Sequence, residues 1–205
     1  MYYLFFQLFF TLKCHRLKFI FNNFAFTFIL IMYRIVLVGF MGSGKTTMGK
    51  KIAKKLNIPF IDLDSEIEKK YNLSILKIFQ DFGEAKFRDM EFHYIRSLIN
   101  KSNFVLSTGG GTPCYKNNIS FLNELGITCY LNRPIKELSN RLHKSKKKRP
   151  LIEGLDNDEL TYFISEEMKV REQYYRKSQL ILNRKDQVPE KIISLINLLD
   201  FHQKN

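Results

Sequence analysis

The segment from residue 39 to residue 47 carries the residue types that bind the phosphates of a nucleotide. It reads Gly-Phe-Met-Gly-Ser-Gly-Lys-Thr-Thr and matches the pattern G-x-x-x-x-G-K-[ST] at every fixed position. Its glycines allow backbone N–H groups to point at phosphate oxygens, Lys45 supplies a mobile cation, and the Thr46 hydroxyl can coordinate Mg²⁺. The motif therefore predicts a nucleoside triphosphate as ligand, and by itself it leaves open a kinase, a GTPase or a motor.

Two carboxylates follow the second predicted strand, which spans residues 60–63. Alternation along an extended chain places Asp62 and Asp64 on the same side of that strand. Open α/β sheets bind ligands beyond the carboxyl ends of their strands, so one carboxylate could serve a metal and the other a substrate hydroxyl. The alternative is that Asp64 is only the N-cap of a helix that begins at Ser65.

An arginine and a run of glycines could form a second ligand site. Glu91 is three positions after Arg88, within helical reach of its guanidinium. An arginine held by an acid suits a ligand carboxylate, although the pair could also be an ordinary surface salt bridge. Gly109, Gly110 and Gly111 directly follow an apolar strand, which favours a close approach of the backbone to a small ligand over a merely flexible loop.

The most basic part of the chain is the segment 141–152, which has six Lys or Arg residues and no acid. Such a run could bind nucleic acid or form a solvated charged face. In an enzyme with a P-loop it could instead belong to a lid, about residues 141–155, that closes over ATP and brings Arg149 to the transferring phosphoryl group.

The residues that follow Met32 alternate short apolar runs with longer segments of helical period. Strands are predicted at 34–38, 60–63, 104–107, 127–131 and 180–183. Helices are predicted at about 44–56, 65–80, 85–101, 116–125, 134–144, 157–176 and 188–200, with Gly83 breaking what would otherwise be one helix. This pattern predicts a single-domain, three-layer α/β/α sandwich around a five-stranded parallel sheet.

The first 31 residues differ from the rest of the chain. The protein has 205 residues and a net charge of +13, yet nine of its 19 Phe lie before residue 32 and its first acidic residue is Asp62. The apolar stretch at 19–33 is interrupted by two asparagines and is shorter than the ~20 residues of a transmembrane helix. We expect residues 1–31 to lie outside the functional domain, 32–205, as sequence translated ahead of a true start at Met32. A membrane or peripheral anchor is the alternative.

Cysteine usage favours reduced thiols in a cytosolic protein. Cys14, Cys114 and Cys129 are too few and too dispersed for a disulfide framework or a zinc cluster. We therefore expect a cytoplasmic protein.

Taken together, these motifs resemble those of the shikimate kinase family over essentially all of residues 33–200. The matches are the P-loop, the Asp-x-Asp at 62–64, Gly-Glu-x-x-Phe-Arg-x-x-Glu at 83–91, the triple glycine, Arg-Pro-Leu at 149–151 and the arginine at 171. The resemblance implies ATP-dependent phosphorylation of the 3-hydroxyl of shikimate, on the route to chorismate and the aromatic amino acids. It also implies a P-loop kinase of the nucleoside-monophosphate-kinase type with strand order 2-3-1-4-5.

The resemblance further implies roles for matched residues. Asp64 would bind the accepting hydroxyl, while Arg88 and Arg171 would hold the shikimate carboxylate with Glu91 orienting them. The implied catalytic residues are Lys45, Asp64 and Arg149. The implied ATP-binding residues are Gly42, Ser43, Gly44, Lys45, Thr46, Thr47, Arg141 and Arg149. The implied substrate-binding residues are Asp64, Arg88, Gly109, Gly110, Gly111 and Arg171. The implied ligands of Mg²⁺ are Thr46, directly, and Asp62, through water.

Two rival functions remain open on the sequence. One is a P-loop kinase that acts on another small hydroxy acid. The other is a nucleic-acid-binding scaffold, which would use the basic run and would have no need for the acidic and arginine residues of the second site. The resemblance favours a monomer whose partners are ATP and shikimate, with no nucleic acid and no stable membrane insertion.

Overall fold

The computed structural model describes residues 18–22, 25–29, 33–145 and 149–203. The chain divides into two units, Met1–Met32 and Tyr33–Asn205. In the first unit, β1 (Lys18–Asn22) and β2 (Ala25–Ile29) pair in antiparallel register. The other residues of the predicted extension and the lysines at 146–148 lie outside the described residues. Among those described, none of the helices is both long enough and apolar enough to cross a membrane.

The second unit is built on a five-stranded parallel sheet. Its strands are β3 (Arg34–Val38), β4 (Phe60–Asp62), β5 (Phe104–Ser107), β6 (Ile127–Leu131) and β7 (Leu180–Leu182). The strands lie in the order β4-β5-β3-β6-β7, which is 2-3-1-4-5 when counted from β3. The predicted order is therefore confirmed. All four residues of β5 are buried, as expected for a strand that is covered on both faces.

Helices pack around this sheet. They are α1 (Lys45–Leu56), α2 (Leu63–Tyr71), α3 (Ile75–Ser97), α4 (Asn118–Leu125), α5 (Ile135–His143), α6 (Asn157–Tyr175) and α7 (Pro189–Gln203). The apolar core between helices and sheet includes Val36, Leu106, Phe104 and Ile164, all fully buried. The layered α/β sandwich predicted from the sequence is therefore confirmed.

The region between β4 and β5 differs from the predicted elements. Helix α2 begins at Leu63 directly after the strand and ends at Tyr71. Asn72 is its C-cap and has a φ of 54°, in the left-handed region. A new helix, α3, then starts after Ser74, whose side chain accepts a hydrogen bond from the Lys77 N–H. The predicted single helix at 65–80 was therefore wrong, because Asn72 and Ser74 separate α2 from α3. The predicted interruption at Gly83 is present as a kink inside α3, where Gly83 has a φ of 75°.

Candidate active site

The P-loop connects β3 to α1 in the conformation that its glycines allow. Gly42 and Gly44 have φ values of 81° and 102°, in the region that favours glycine. Helix α1 begins at Lys45, so its first backbone N–H groups and the positive end of its dipole face the loop. Thr47 lies in this first turn, and Ser43, within the loop, is buried. The arrangement is an anion-binding cradle of the predicted kind.

The Lys45 ammonium folds back onto the loop. It donates hydrogen bonds to the carbonyls of Gly39 at 2.8 Å and Phe40 at 2.9 Å. Burial lowers the pKa of Lys45 to about 8, and the carboxylates of Asp64 and Asp62 oppose that shift. The two carboxylates thus favour the charged form of this lysine, whereas its burial disfavours it.

Three oxygen-bearing side chains meet beside the start of α1. The Thr46 hydroxyl donates to Oδ2 of Asp62 at 2.7 Å and lies 3.5 Å from the Ser107 hydroxyl. Oxygen donors of this kind are those that Mg²⁺ prefers, so the set fits the ion. Asp62 also accepts from the Ser65 N–H, which makes it the N-cap of α2. The alternative that Asp64 is the N-cap was therefore wrong, and so was the alternation argument, since the strand ends at Asp62.

These side chains line a cleft of about 450 Å³ over the P-loop. Asp64, in the first turn of α2, and Arg149 both line it. Burial lowers the pKa of Arg149, and the charge of Asp64 opposes this shift. Arg141 lines the same cleft, where it donates to the Gly42 carbonyl at 3.4 Å and pairs with Glu137 at 2.9 Å.

Arg88 is a buried arginine at the far side of the glycine loop, paired with one buried and one exposed glutamate. It pairs with Glu91 at 2.7 Å and with Glu84 at 2.7 Å. Arg88 is 7% exposed and Glu91 is fully buried, so the alternative of an ordinary surface salt bridge was wrong. Burial acts to lower the pKa of Arg88, but the two glutamates outweigh it and hold that pKa above its usual range. The guanidinium is thus charged and fixed in direction.

The triple glycine passes so close to these charges that a side chain fits at neither Gly109 nor Gly111. A Cβ on Gly111 would lie 2.5 Å from Cζ of Arg88, and one on Gly109 would clash with the Glu91 carboxylate. Gly109 and Gly110 also line the cleft. The close approach predicted for this loop is therefore present, and the side chains that the loop approaches include those of Arg88 and Glu91.

A second arginine reaches the glycine loop from α6. Arg171 forms an ion pair with Glu167 and lies 5.6 Å from the centre of the Phe40 ring. Its Nη1 atom is buried and, in the described part of the chain, has no hydrogen-bond partner. The same atom lies 3.5 Å from the position of a Cβ on Gly110. This orphaned donor beside the loop is a ready partner for an anionic group.

The predicted residues thus fall into two connected groups. The cleft brings together the P-loop, both carboxylates, Arg141 and Arg149. Among the described residues, Arg88, Gly111 and Arg171 do not line that cleft and adjoin it through the glycine loop.

Besides Ser107 of the oxygen cluster, sequence reasoning missed four residues that support the predicted set. They are Glu84, Glu137, Glu167 and Thr112. The three glutamates each lie four positions before the arginine that they pair with on the same helix, a spacing that could have revealed them. Thr112 bonds to Glu91 across the fold, and no local spacing indicates that contact.

The similarity of this chain to known proteins agrees with the geometry. The sequence model of the shikimate kinase family matches residues 41–198. The chain belongs to the shikimate kinase family. The shikimate kinase of Bacteroides thetaiotaomicron is 43% identical over 152 residues, 74% of this chain and 87% of that protein. The shikimate kinase of Flavobacterium psychrophilum is 41% identical over 172 residues, 83% of this chain and 100% of that protein.

Solved structures of shikimate kinases also superpose on this fold. The crystal structure of the Bacteroides thetaiotaomicron shikimate kinase has a TM-score of 0.76 and 39% identity, and the match covers 83% of this chain and 99% of that chain. The shikimate kinase from Acinetobacter baumannii in complex with shikimate has a TM-score of 0.72 and 32% identity, over 84% and 95% of the two chains.

Proposed function

We propose that this chain transfers the γ-phosphoryl group of ATP to the 3-hydroxyl of shikimate, giving shikimate 3-phosphate and ADP on the route to chorismate. The observation that carries the proposal is the pair of buried arginines, Arg88 and Arg171, on either side of the glycine loop. One guanidinium is fixed by two glutamates, and the other presents an unpaired donor. Two such forks suit the carboxylate of a small acid.

ATP is assigned to the cradle and its basic surroundings. The P-loop residues Gly42, Ser43, Gly44, Lys45, Thr46 and Thr47 would hold the phosphates, with Arg141 beside the adenine. Lys45 now bonds to two loop carbonyls, and we expect it to exchange these acceptors for phosphate oxygens. Glu137 keeps Arg141 at the rim of the cleft through an ion pair.

Mg²⁺ is assigned to the oxygen cluster beside α1. Thr46 would bind it directly and Asp62 through water, and the fit rests on the hydrogen bond between their oxygens at 2.7 Å. Bound there, the ion would neutralise charge on the phosphates. Asp62 is held in place from the other side as the N-cap of α2.

Transfer itself needs an oriented hydroxyl and positive charge around the moving group. Asp64 would orient the 3-hydroxyl of shikimate and accept its proton, while Lys45 and Arg149 would stabilise the charge on the phosphoryl oxygens. A loose transition state asks for positioning and neutralisation more than for a strong base. Gly109, Gly110 and Gly111 would border the ring of the substrate with bare backbone.

We also propose that residues 32–205 form the catalytic domain and that residues 1–31 are not required for it. All the assigned residues lie within the unit Tyr33–Asn205. A chain that begins at Met32 should keep the kcat/KM of the full chain for shikimate. We further propose a cytoplasmic monomer, which cell fractionation and sedimentation equilibrium would test.

The activity is tested by measuring ADP release with magnesium and ATP in the presence of shikimate, gluconate or a nucleoside monophosphate. We expect turnover that depends on shikimate. In R171M, shikimate use should be lost while ATP binding is retained. Turnover with gluconate alone would favour the rival small-acid kinase, and ATP turnover that ignores all three acceptors would exclude both kinases.

A further inference from the structure

Thr112 lies directly after the triple glycine, and its side chain is fully buried. Its Oγ1 donates a hydrogen bond to Oε1 of Glu91 at 2.5 Å. The other carboxylate oxygen, Oε2, accepts from Nη1 of Arg88 at 2.7 Å. Thr112 is therefore connected to the substrate-facing guanidinium through a single carboxylate.

Glu91 depends on these two donors because it is cut off from water. It is fully buried on α3, and burial raises the pKa of its carboxyl, while Arg88 and Thr112 act in the opposite direction and Asp64, from α2, adds to the rise. A buried carboxylate oxygen that loses its donor pays the full cost of desolvation. Without the threonine hydroxyl, we expect the carboxylate to rotate or take up a proton. Either change weakens one of the three hydrogen bonds that orient Arg88 and leaves only the two to the exposed Glu84.

The Thr112 hydroxyl is itself held in position by its surroundings. The Thr112 carbonyl accepts a hydrogen bond from Nδ2 of the buried Asn118 at 3.0 Å. Asn118 in turn accepts from Nη1 of Arg96 at 3.0 Å through its own Oδ1. The hydrogen bond from Asn118, the first residue of α4, thus holds the Thr112 backbone in place, and this in turn positions the Thr112 hydroxyl against Glu91.

We propose that Thr112 is a positioning residue for the carboxylate of the substrate, acting through Glu91 on Arg88. The inference rests on the proposed function, since it takes Arg88 to be a ligand of shikimate. It predicts an effect on shikimate binding that is separate from any effect on ATP or on folding.

The test compares T112V, which keeps the shape and removes the hydroxyl, with T112S, which keeps the hydroxyl. In the full-length protein, T112V should raise the Kd for shikimate by calorimetry and the KM for shikimate by about tenfold or more, because a hydrogen bond to a charged group is lost. The KM for ATP should stay unchanged, and kcat should change less than the KM for shikimate. T112S should restore most of the affinity.

A matched control is available on β6. Thr128 is also fully buried, and its hydroxyl donates to Oδ1 of Asn123 at 2.5 Å. T128V should lower the melting temperature and leave the KM for shikimate unchanged. T112A removes the same hydroxyl as T112V without the added methyl group, so it gives the answer if T112V does not fold.

The outcomes separate the inference from the function on which it rests. If the wild-type protein uses shikimate, and T112V and T112A both bind shikimate with the wild-type Kd, the proposed function stands and the inference is overturned. Equal losses of shikimate affinity in T112V and T128V also overturn it, since the effect would then be a general one on stability. A wild type that does not use shikimate overturns the proposed function and the inference together.

Discussion

Replacing Gly111 by alanine places a methyl group against Arg88, the proposed ligand of the substrate carboxylate. The new Cβ would lie 2.5 Å from Cζ and 2.6 Å from Nη2 of Arg88. Both distances are shorter than two non-bonded atoms can approach, so the Arg88 guanidinium has to move. Three hydrogen bonds to Glu84 and Glu91 hold it in its present position, so the movement strains or breaks them.

The size of the effect follows from what the displaced guanidinium loses. A hydrogen bond to a charged group is worth about 1.5–3 kcal/mol, which corresponds to a rise of roughly 10- to 150-fold in the KM for shikimate. Overpacking adds a separate cost of about 1–3 kcal/mol to the free energy of unfolding. Steady-state ADP release measures the first effect, and thermal unfolding measures the second.

The adjacent glycine provides the control. A Cβ on Gly110 would meet the Met41 nitrogen at 3.3 Å and Nη1 of Arg171 at 3.5 Å, so G110A needs only a small adjustment. We expect its KM for shikimate to rise less than that of G111A, with the KM for ATP nearly unchanged in both. A wild-type KM for shikimate in G111A, or an equal loss of ATP affinity, would refute the reasoning about Arg88.

Three further predictions follow from the ion pairs and the oxygen cluster. Burial raises the pKa of the Glu91 carboxyl, so Glu91 gains a proton at a higher pH than an ordinary glutamate and shikimate affinity should fall as the pH is lowered. E91Q should bind shikimate weakly at every pH. An affinity of the wild-type protein that does not change with pH would contradict this prediction. E137Q should weaken the ion pair between Glu137 and Arg141 and raise the KM for ATP by about two- to fivefold. The KM for shikimate, measured as the control, should stay unchanged. Removing magnesium with EDTA should abolish transfer, and D62N should need more magnesium for half-maximal rate, whereas an unchanged requirement would exclude Asp62 from the metal site.

Much of the fold and the P-loop could be predicted because their signals are local. The apolar run of β3 and the glycine pattern that follows it lie within residues 34–46, where periodicity and φ preference act over a few positions. The boundary after β4 was misplaced because Asp62 ends the strand as the cap of α2, and extended alternation does not describe a chain that turns into a helix at once.

The supports of the second site were harder to predict because they depend on the tertiary structure. Helical spacing pointed to Glu91 as a partner of Arg88, but nothing local indicated that both would be buried. The contact between Thr112 and Glu91 joins residues 21 positions apart in the chain. Three consecutive glycines signalled a close approach, yet only the packed structure reveals that the approaching groups include the arginine and the glutamate.

The most direct test of the central claim is to identify the product that the full-length protein forms from ATP, magnesium and shikimate. Phosphorus and proton NMR of the reaction mixture would locate the new phosphate ester. We predict one equivalent of ADP for each shikimate phosphorylated, with the ester at the 3-hydroxyl. An ester at another hydroxyl, or ADP with inorganic phosphate and unchanged shikimate, would contradict the account.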